Sequence, residues 1–292
     1  MIQKLENDLL IVEASSWGAE LQSIRDKRTG HEYLWQGNPA FWKRRSPVLF
    51  PIVGSVWDGK FHMDGKEYTM GQHGFARDME FSPVEGTPDD EIWFRLEWTA
   101  ETLERYPRKF RLEIGYKLYE IRISVMWRVY NEDDRDMAFQ IGAHPAFNLP
   151  GFNATDLVHG YFAFDMTELR SEVIAGKGCV GKELKEMTLD GDLLPIEPDT
   201  FRNDALILGG GKVHRVSLLD KERHPCLTLL FRAPYVGLWA PKPDAPFVCI
   251  EPWWGRADDY GFTGDFSRKV AVNTLEPGKR ADFEYMILID NI

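Results

Sequence analysis

Apolar and polar residues alternate with a period of two along much of the chain. Clear examples are residues 92–98, 112–118 and 121–130, each rich in β-branched and aromatic side chains. Successive side chains of a strand point to opposite faces, so this period is typical of antiparallel sheets with one buried face. The third run ends at the turn-forming residues 131–134. The three segments are therefore predicted to form consecutive strands of a meander.

Turn signals and scarce helical patterns favour an all-β fold. Asp64-Gly65 between two potential strands predicts a hairpin, and residues 269–275 and 281–289, which flank a Pro-Gly turn, are predicted to pair as a closing hairpin. Only brief stretches such as residues 100–106 show helical character. Because crossover helices and linkers are missing from the pattern, we expect two packed antiparallel sheets in a single domain over residues 1–292.

Composition limits the classes of partner. The 292 residues carry a formal charge of −11, which disfavours nucleic acid and anionic membranes and leaves a small molecule as the expected ligand. Cys179, Cys226 and Cys249 form no Cys-x-x-Cys pair, so neither a disulfide framework nor a structural zinc site is expected. The acidic start lacks a signal-peptide pattern, and no apolar run approaches a membrane span. We expect a cytoplasmic monomer or homodimer.

Two histidines and one glutamate are candidates for proton transfer. His144 follows small residues and precedes Pro145, and His73 lies in a glycine-flanked turn that a ligand can approach closely. Glu251 follows the apolar residues 247–250 and precedes Pro252, which is expected to end the strand pairing. Partial desolvation there would raise the pKa of the carboxyl towards that of a useful base. An ion pair between Glu251 and Arg256 is the competing interpretation.

Neighbouring residues extend this candidate site. If the small-molecule ligand is a sugar, Asn148 offers an amide to its hydroxyls, and tryptophan faces pack on the C–H surface of its pyranose ring. Only one of Trp253 and Trp254 is expected at the site, because adjacent side chains of a strand point to opposite faces. Arg77 and its neighbour Asp78 are by default a surface ion pair that fixes their loop.

The residues by themselves leave two other kinds of ligand open, a metal ion and an anionic group. Two histidines and a carboxylate match a zinc site with one open position, but the short-range histidine pair usual in such sites is absent, so no metal or cofactor is predicted. Arg44-Arg45 suits an anionic substituent such as a sugar phosphate, or a solvated surface pair.

Taken in order, these segments resemble the aldose 1-epimerases, the galactose mutarotase-like proteins, and within them a divergent bacterial branch often encoded with lactose or galactose genes. The similarity runs from residues 17–24 and 50–54 through the His73 and His144 segments and Glu251 to the final strands. The resemblance implies a large antiparallel β-supersandwich with an open cleft on one sheet. It also implies interconversion of the α and β anomers of a free aldose, without cofactor or metal.

The resemblance implies roles for individual residues as well. Glu251 would take the proton of the C1 hydroxyl, His144 would protonate the ring oxygen O5, and His73 would bond the ring side of the sugar. An arginine expected before the Asp-Gly hairpin falls on Ser55, a gap that Arg44 or Arg45 is a candidate to fill. The family's aspartate for a sugar hydroxyl matches Asn203 by ungapped counting and Asp204 by chemistry.

The sequence thus predicts a mutarotase acting on a free aldohexose, with Glu251 and His144 as catalytic residues. The expected sugar contacts are His73, Asn148, Arg77, Asn203, Asp204, Trp253 and Arg45. The alternatives are a hexose-6-phosphate mutarotase with Arg44, Arg45 or Arg77 on the phosphate, a non-catalytic sugar-binding protein, which the serine at position 55 favours, and a metal-dependent isomerase.

Overall fold

The computed structural model describes residues 1–290, and nearly all of the regular structure in them is antiparallel β-strand. The strands in chain order are β1 Ile2–Glu6, β2 Leu10–Ser15, β3 Leu21–Asp26, β4 Val48–Leu49, β5 Lys60–Met63, β6 Lys66–Thr69, β7 Ser82–Pro83, β8 Glu91–Glu97, β9 Phe110–Tyr119, β10 Arg122–Asn131, β11 Met137–Phe139, β12 Ile141–Ala143, β13 Ala146–Asn148, β14 Tyr161–Phe164, β15 Arg170–Gly176, β16 Cys179–Glu186, β17 Leu193–Pro195, β18 Leu206–Leu208, β19 Arg215–Leu219, β20 Pro225–Phe231, β21 Tyr235–Trp239, β22 Phe247–Trp254, β23 Asn273–Leu275 and β24 Arg280–Ile289. The helical elements are α1 Ala100–Arg105 and the 3-10 turns Trp57–Gly59, Ala76–Asp78 and Phe266–Arg268. Within residues 1–290, no helix has the length and apolar character needed to cross a membrane.

Two large sheets dominate the architecture. One has nine strands in the order β17-β14-β19-β20-β24-β10-β9-β8-β7. The other has eight, in the order β16-β15-β18-β21-β22-β12-β4, with β13 also pairing with β22. The neighbours β8, β9 and β10 confirm the predicted meander. A three-stranded sheet β1-β2-β3 and the pairs β5-β6 and β11-β23 complete the fold.

The two large sheets pack face to face over an aromatic core. Trp254 of the eight-stranded sheet contacts Trp127 and Phe283 of the nine-stranded sheet, with ring centroids 5.7 and 5.5 Å apart. Along β10 the residues alternate between buried and partly exposed, as a half-buried strand requires. A smaller apolar cluster, which includes Ile207 and Trp253, lies on the opposite face of the eight-stranded sheet. That face carries the candidate site.

Both local predictions of turns and helices are confirmed. Asp64 and Gly65 join β5 to β6 with φ of 52° and 73°, the positive values that a type I′ hairpin turn needs. The short helix α1 begins at a capping box in which the side chains of Thr99 and Thr102 each accept from the other's backbone N–H.

The predicted closing hairpin is wrong. Strand β24 lies between β10 and β20, and β23 pairs with β11. Two long apolar neighbours allow β24 to bury Tyr285, Ile287 and Ile289, which a hairpin with three-residue β23 cannot do. The turn before β24 bonds elsewhere, since the N–H of Gly278 donates to the carbonyl of Asn131 at 3.0 Å.

The prediction that Pro252 ends the strand pairing is also wrong. Strand β22 continues to Trp254, with Pro252 opposite Val236 and Trp253 opposite Tyr235 of β21. Proline is tolerated because the strand on the other side of β22 is interrupted at this level, between β12 and β13.

Candidate active site

The interruption between β12 and β13 creates the central contact of the site. Gly142 of β12 lies opposite Trp253, and Ala146 of β13 lies opposite Cys249. Continuing either register inward places His144 opposite Glu251 on one face of the sheet, at the spacing where cross-strand side chains touch. The intervening Pro145 has no N–H to donate to a ladder, but its carbonyl accepts from Ile250 at 3.2 Å. Two residues far apart in sequence therefore become direct neighbours.

His144 and Glu251 form a buried acid–base pair. Nε2 of His144 lies 3.3 Å from Oε2 of Glu251, and the two residues are only 7% and 1% exposed. Burial raises the pKa of Glu251 well above its usual range; the charge of Asp204 adds to this, and the Trp253 indole acts against it. Burial lowers the pKa of His144 to about 3, and the positive charges of Arg77 and Arg44 act in the same direction. A proton on this pair therefore resides on the carboxyl.

His73 stands beside the pair in a constrained turn. Its backbone has φ of 65°, and the following Gly74 packs so tightly on Phe50 that a Cβ there would lie 2.2 Å from the carbonyl oxygen. Nδ1 of His73 accepts from the N–H of Gly54 at 3.1 Å, which leaves the ring proton of the neutral imidazole on Nε2. The ring centroids of His73 and His144 are 5.4 Å apart. The structure thus brings together both predicted histidines.

Two tryptophans that the sequence did not single out pack on His144. Trp42 stacks on the imidazole with centroids 4.7 Å apart, and Trp239 meets it edge-on at 5.5 Å. Trp42 belongs to the irregular segment between β3 and β4, which Lys242 and Arg44 tie down through contacts with Ala40 and Asp78. No local sequence pattern indicates that Trp42 approaches His144. Trp239 reaches the site through the pairing of β21 with β22, where it lies opposite Cys249.

The predicted aromatic contact Trp253 forms the floor beside Glu251. Its indole covers Gly237 and Gly142 of the adjoining strands, where a Cβ would lie 2.4 and 2.8 Å from the ring. The residue is buried, and its indole nitrogen has no hydrogen bond of ordinary geometry within residues 1–290. As predicted for adjacent tryptophans, Trp254 points instead into the core.

The predicted arginines are held by protein acceptors. Arg44 pairs with Asp78 at 2.9 Å, Arg45 donates to the carbonyl of Gln22 at 2.9 Å, and Arg77 donates to the carbonyl of Gln72 at 2.7 Å. Arg44 and Arg77 lie near enough to lower the pKa of both site histidines. Arg45 instead lies against the three-stranded sheet.

The remaining predicted sugar contacts are Asp204, Asn203 and Asn148. Asp204 is exposed but close enough for its charge to raise the pKa of Glu251. Its neighbour Asn203 is also exposed. Asn148 donates its amide to the carbonyls of Glu32 and Leu34 at 2.9 and 3.1 Å. These bonds occupy both amide protons, so this arrangement does not support Asn148 as a donor to a sugar.

The turn between β15 and β16 fills the space beside Ser55. A Cβ on Gly178 in that turn would lie 2.5 Å from Oγ of Ser55. The turn therefore packs directly over the serine and leaves little room there for an arginine side chain. Neither Arg44 nor Arg45 fills this place, because both are engaged elsewhere.

Comparison with known proteins assigns the chain to a family. The family model described as aldose 1-epimerase matches residues 1–161. Protein LacX, chromosomal, of Lactococcus lactis subsp. lactis is 32% identical over 307 aligned residues, which cover 100% of both chains. The chain belongs to the aldose 1-epimerase family.

Solved structures agree with this assignment. A galactose mutarotase related enzyme from Lactobacillus acidophilus superposes with a TM-score of 0.91 at 34% identity, covering 99% of this chain and 97% of the other. A galactose mutarotase-like protein from Lactobacillus casei ATCC 334 gives a TM-score of 0.93 at 28% identity, with coverage of 99% and 100%. The predicted galactose mutarotase-like, antiparallel β fold is confirmed.

A thiol that the sequence did not single out lies beside the His144–Glu251 pair. Cys249 lies two residues before Glu251 on β22, and this spacing, which places both side chains on one face, was the available signal. Ligand atoms of Cys249, His144 and Glu251 all lie within 4.8 Å of one another. The group of potential metal ligands in the structure is therefore one histidine, one cysteine and one glutamate, and it differs from the two histidines and Glu251 of the metal-site alternative.

Proposed function

We propose that this protein is a mutarotase that interconverts the α and β anomers of a free aldohexose. The contact of 3.3 Å between His144 and Glu251 is the observation that supports it. Both reacting oxygens of the sugar, O1 and O5, are bonded to C1. A base for one and an acid for the other therefore have to lie side by side, as these two groups do.

Ring opening needs two proton transfers. The Glu251 carboxylate accepts the proton of the C1 hydroxyl, and the O–H electron pair becomes the second bond of the C1 carbonyl. The C1–O5 bond breaks, and its electron pair takes a proton from the His144 imidazolium. Rotation about C1–C2 turns the aldehyde, and the reverse transfers close the ring to the other anomer. No net proton is gained or lost, so the pair is ready for the next turnover.

The proton starts on the wrong partner for ring opening in the free protein. Burial raises the pKa of Glu251 and lowers that of His144, so the resting pair is a carboxylic acid beside a neutral imidazole. This is the state required for ring closure. Ring opening requires the ion-pair tautomer, which the direct contact between Nε2 and Oε2 makes accessible without a proton from solvent. The Nε2–H of His73 is a donor for the ring side of the sugar.

A sugar phosphate is the second candidate substrate. Nε of Arg77 is buried, has no hydrogen-bond partner within residues 1–290 and lies 3.8 Å from the carboxylate of Asp78, the ion pair expected from the sequence; its charge lowers the pKa of both site histidines. The neutral aldose is favoured because Arg44 and Arg45 already have acceptors and the formal charge of −11 opposes an anion at long range.

Free glucose or galactose should accordingly be equilibrated at least about tenfold faster, in kcat/KM, than glucose 6-phosphate, because a charged phosphate that loses water without gaining a partner costs about 1–3 kcal/mol or more. Polarimetry over a panel of free and 6-phosphorylated aldoses measures this. Equal or faster turnover of glucose 6-phosphate, lost in Arg77→Ala or Arg44→Ala, would reassign the protein to phosphosugars.

Trp42 has to move when a sugar binds, because its ring covers His144. Once displaced, it can pack on the C–H face of the pyranose. Trp42→Ala should weaken sugar binding about 2- to 10-fold, the value of one aromatic contact, with a smaller change in the rate constant at saturation. Trp42→Phe should retain most of the affinity.

Trp98→Ala is a matched control for this prediction, because Trp98 packs against Lys109 at the ends of β8 and β9. Titration calorimetry and saturation kinetics give the two quantities separately. Tighter sugar binding in Trp42→Ala would mean that the indole only obstructs the site.

A further inference from the structure

Cys249 adds a soft ligand to the acid–base pair. Its Sγ, a ring nitrogen of His144 and a carboxylate oxygen of Glu251 lie within 4.8 Å of one another, and all three residues are buried. Oε2 of Glu251 has no hydrogen bond of ordinary geometry to any of residues 1–290. Three different ligand types thus lie close to one another in a buried place.

We propose that Cys249, His144 and Glu251 form a binding site for Zn²⁺, and that zinc bound there blocks mutarotation. Tetrahedral zinc, with bonds of about 2.0 to 2.3 Å, needs ligand atoms roughly 3.3 to 3.8 Å apart. His144 and Glu251 already meet this requirement at 3.3 Å. A modest side-chain rotation brings the thiol into range, and the fourth position is left to water.

Charge balance favours zinc over other ions in this setting. A thiolate, a carboxylate and a neutral imidazole together cancel the two charges of Zn²⁺, so the buried complex carries no net charge and avoids the cost of an unpaired buried ion. Mg²⁺ and Ca²⁺ prefer oxygen ligands and would not use the thiol. Burial also raises the pKa of the Cys249 thiol well above its usual range, with Glu251 acting in the same direction. The thiol therefore remains protonated until a cation replaces its proton.

Inhibition follows from the identity of the ligands. A zinc ion on Nε2 and Oε2 occupies the atoms that exchange protons with the sugar, so zinc and sugar exclude each other. Apparent zinc affinity should fall as sugar concentration rises, by the mass action that links two competing ligands.

Cobalt titration tests the site without reference to activity. Chelator-treated, reduced protein titrated with Co²⁺ should develop a thiolate-to-cobalt charge-transfer band at one equivalent, with proton release from the thiol and the carboxyl. Cys249→Ala should lose the band and weaken Zn²⁺ binding at least about 100-fold, because a direct ligand contributes more than the outer partners whose loss costs 10- to 100-fold. Cys226→Ser, at a buried thiol on the nine-stranded sheet, should behave as wild type.

Mutarotation assays complete the test. In wild type, micromolar Zn²⁺ should inhibit in competition with sugar, whereas the rate of Cys249→Ala, compared with its own metal-free rate, should not fall at the same Zn²⁺ concentration. Unchanged Zn²⁺ affinity in both Cys249→Ala and Cys249→Ser would show that Cys249 is not a zinc ligand and would overturn the proposed site. Activation of wild type by zinc would contradict the proposed inhibition. Because the cobalt band does not depend on turnover, failure of the site and absence of mutarotase activity are distinguished.

Discussion

Glu251→Gln should lower the mutarotation rate constant by a factor of about 10² to 10⁴ while sugar still binds. The amide keeps the shape of the carboxyl and its capacity to hydrogen-bond, but it cannot accept the proton of the C1 hydroxyl. Because the resting carboxyl is protonated and uncharged, replacing it by a neutral amide should cost the buried site little stability. Polarimetry from a pure anomer gives the rate constant, and calorimetry gives the affinity.

Glu172→Gln is the matched control for this substitution. Glu172 lies on the same face of the eight-stranded sheet, and burial also raises its pKa, but its partner is Arg256 rather than a histidine. This variant should retain the wild-type rate. If Glu251→Gln loses sugar binding while its rate constant is unchanged, Glu251 holds the sugar and is not the base.

His144→Asn should lower the rate constant by a similar factor of about 10² to 10⁴, because asparagine cannot carry a proton to O5. The two groups act as a unit, so Glu251→Gln combined with His144→Asn should be about as slow as either single variant. His159→Asn is the control, since His159 also has little exposed surface but packs against Phe152 and not against the pair. Fully multiplicative losses in the double variant would mean that His144 and Glu251 act independently.

The fold was largely predictable because its main signals are local. Alternation along residues 92–98, 112–118 and 121–130 and the Asp64-Gly65 turn predicted strands and a hairpin that the structure contains. The choice of partner for β24 was not local. It depends on the apolar area that β10 and β20 offer, which no turn signal at residues 276–279 reveals.

The site was predictable only in part, for a similar reason. The resemblance predicted roles for His144, Glu251 and His73, and the structure brings all three together. Trp42 escaped notice because an irregular segment more than 100 residues from His144 in sequence carries it there. The interpretation of Glu251 as a partner of Arg256 is wrong, since that arginine pairs with Glu172 and Asp259.

The most direct test of the proposed function is the equilibration of a freshly dissolved, pure anomer of galactose or glucose by the metal-free protein, followed by polarimetry. Acceleration over buffer should be proportional to protein concentration, and Glu251→Gln should remove nearly all of it. An equilibration rate equal to that in buffer for every free aldose, with calorimetry showing that the sugars bind, would contradict the account and identify a sugar-binding protein without turnover.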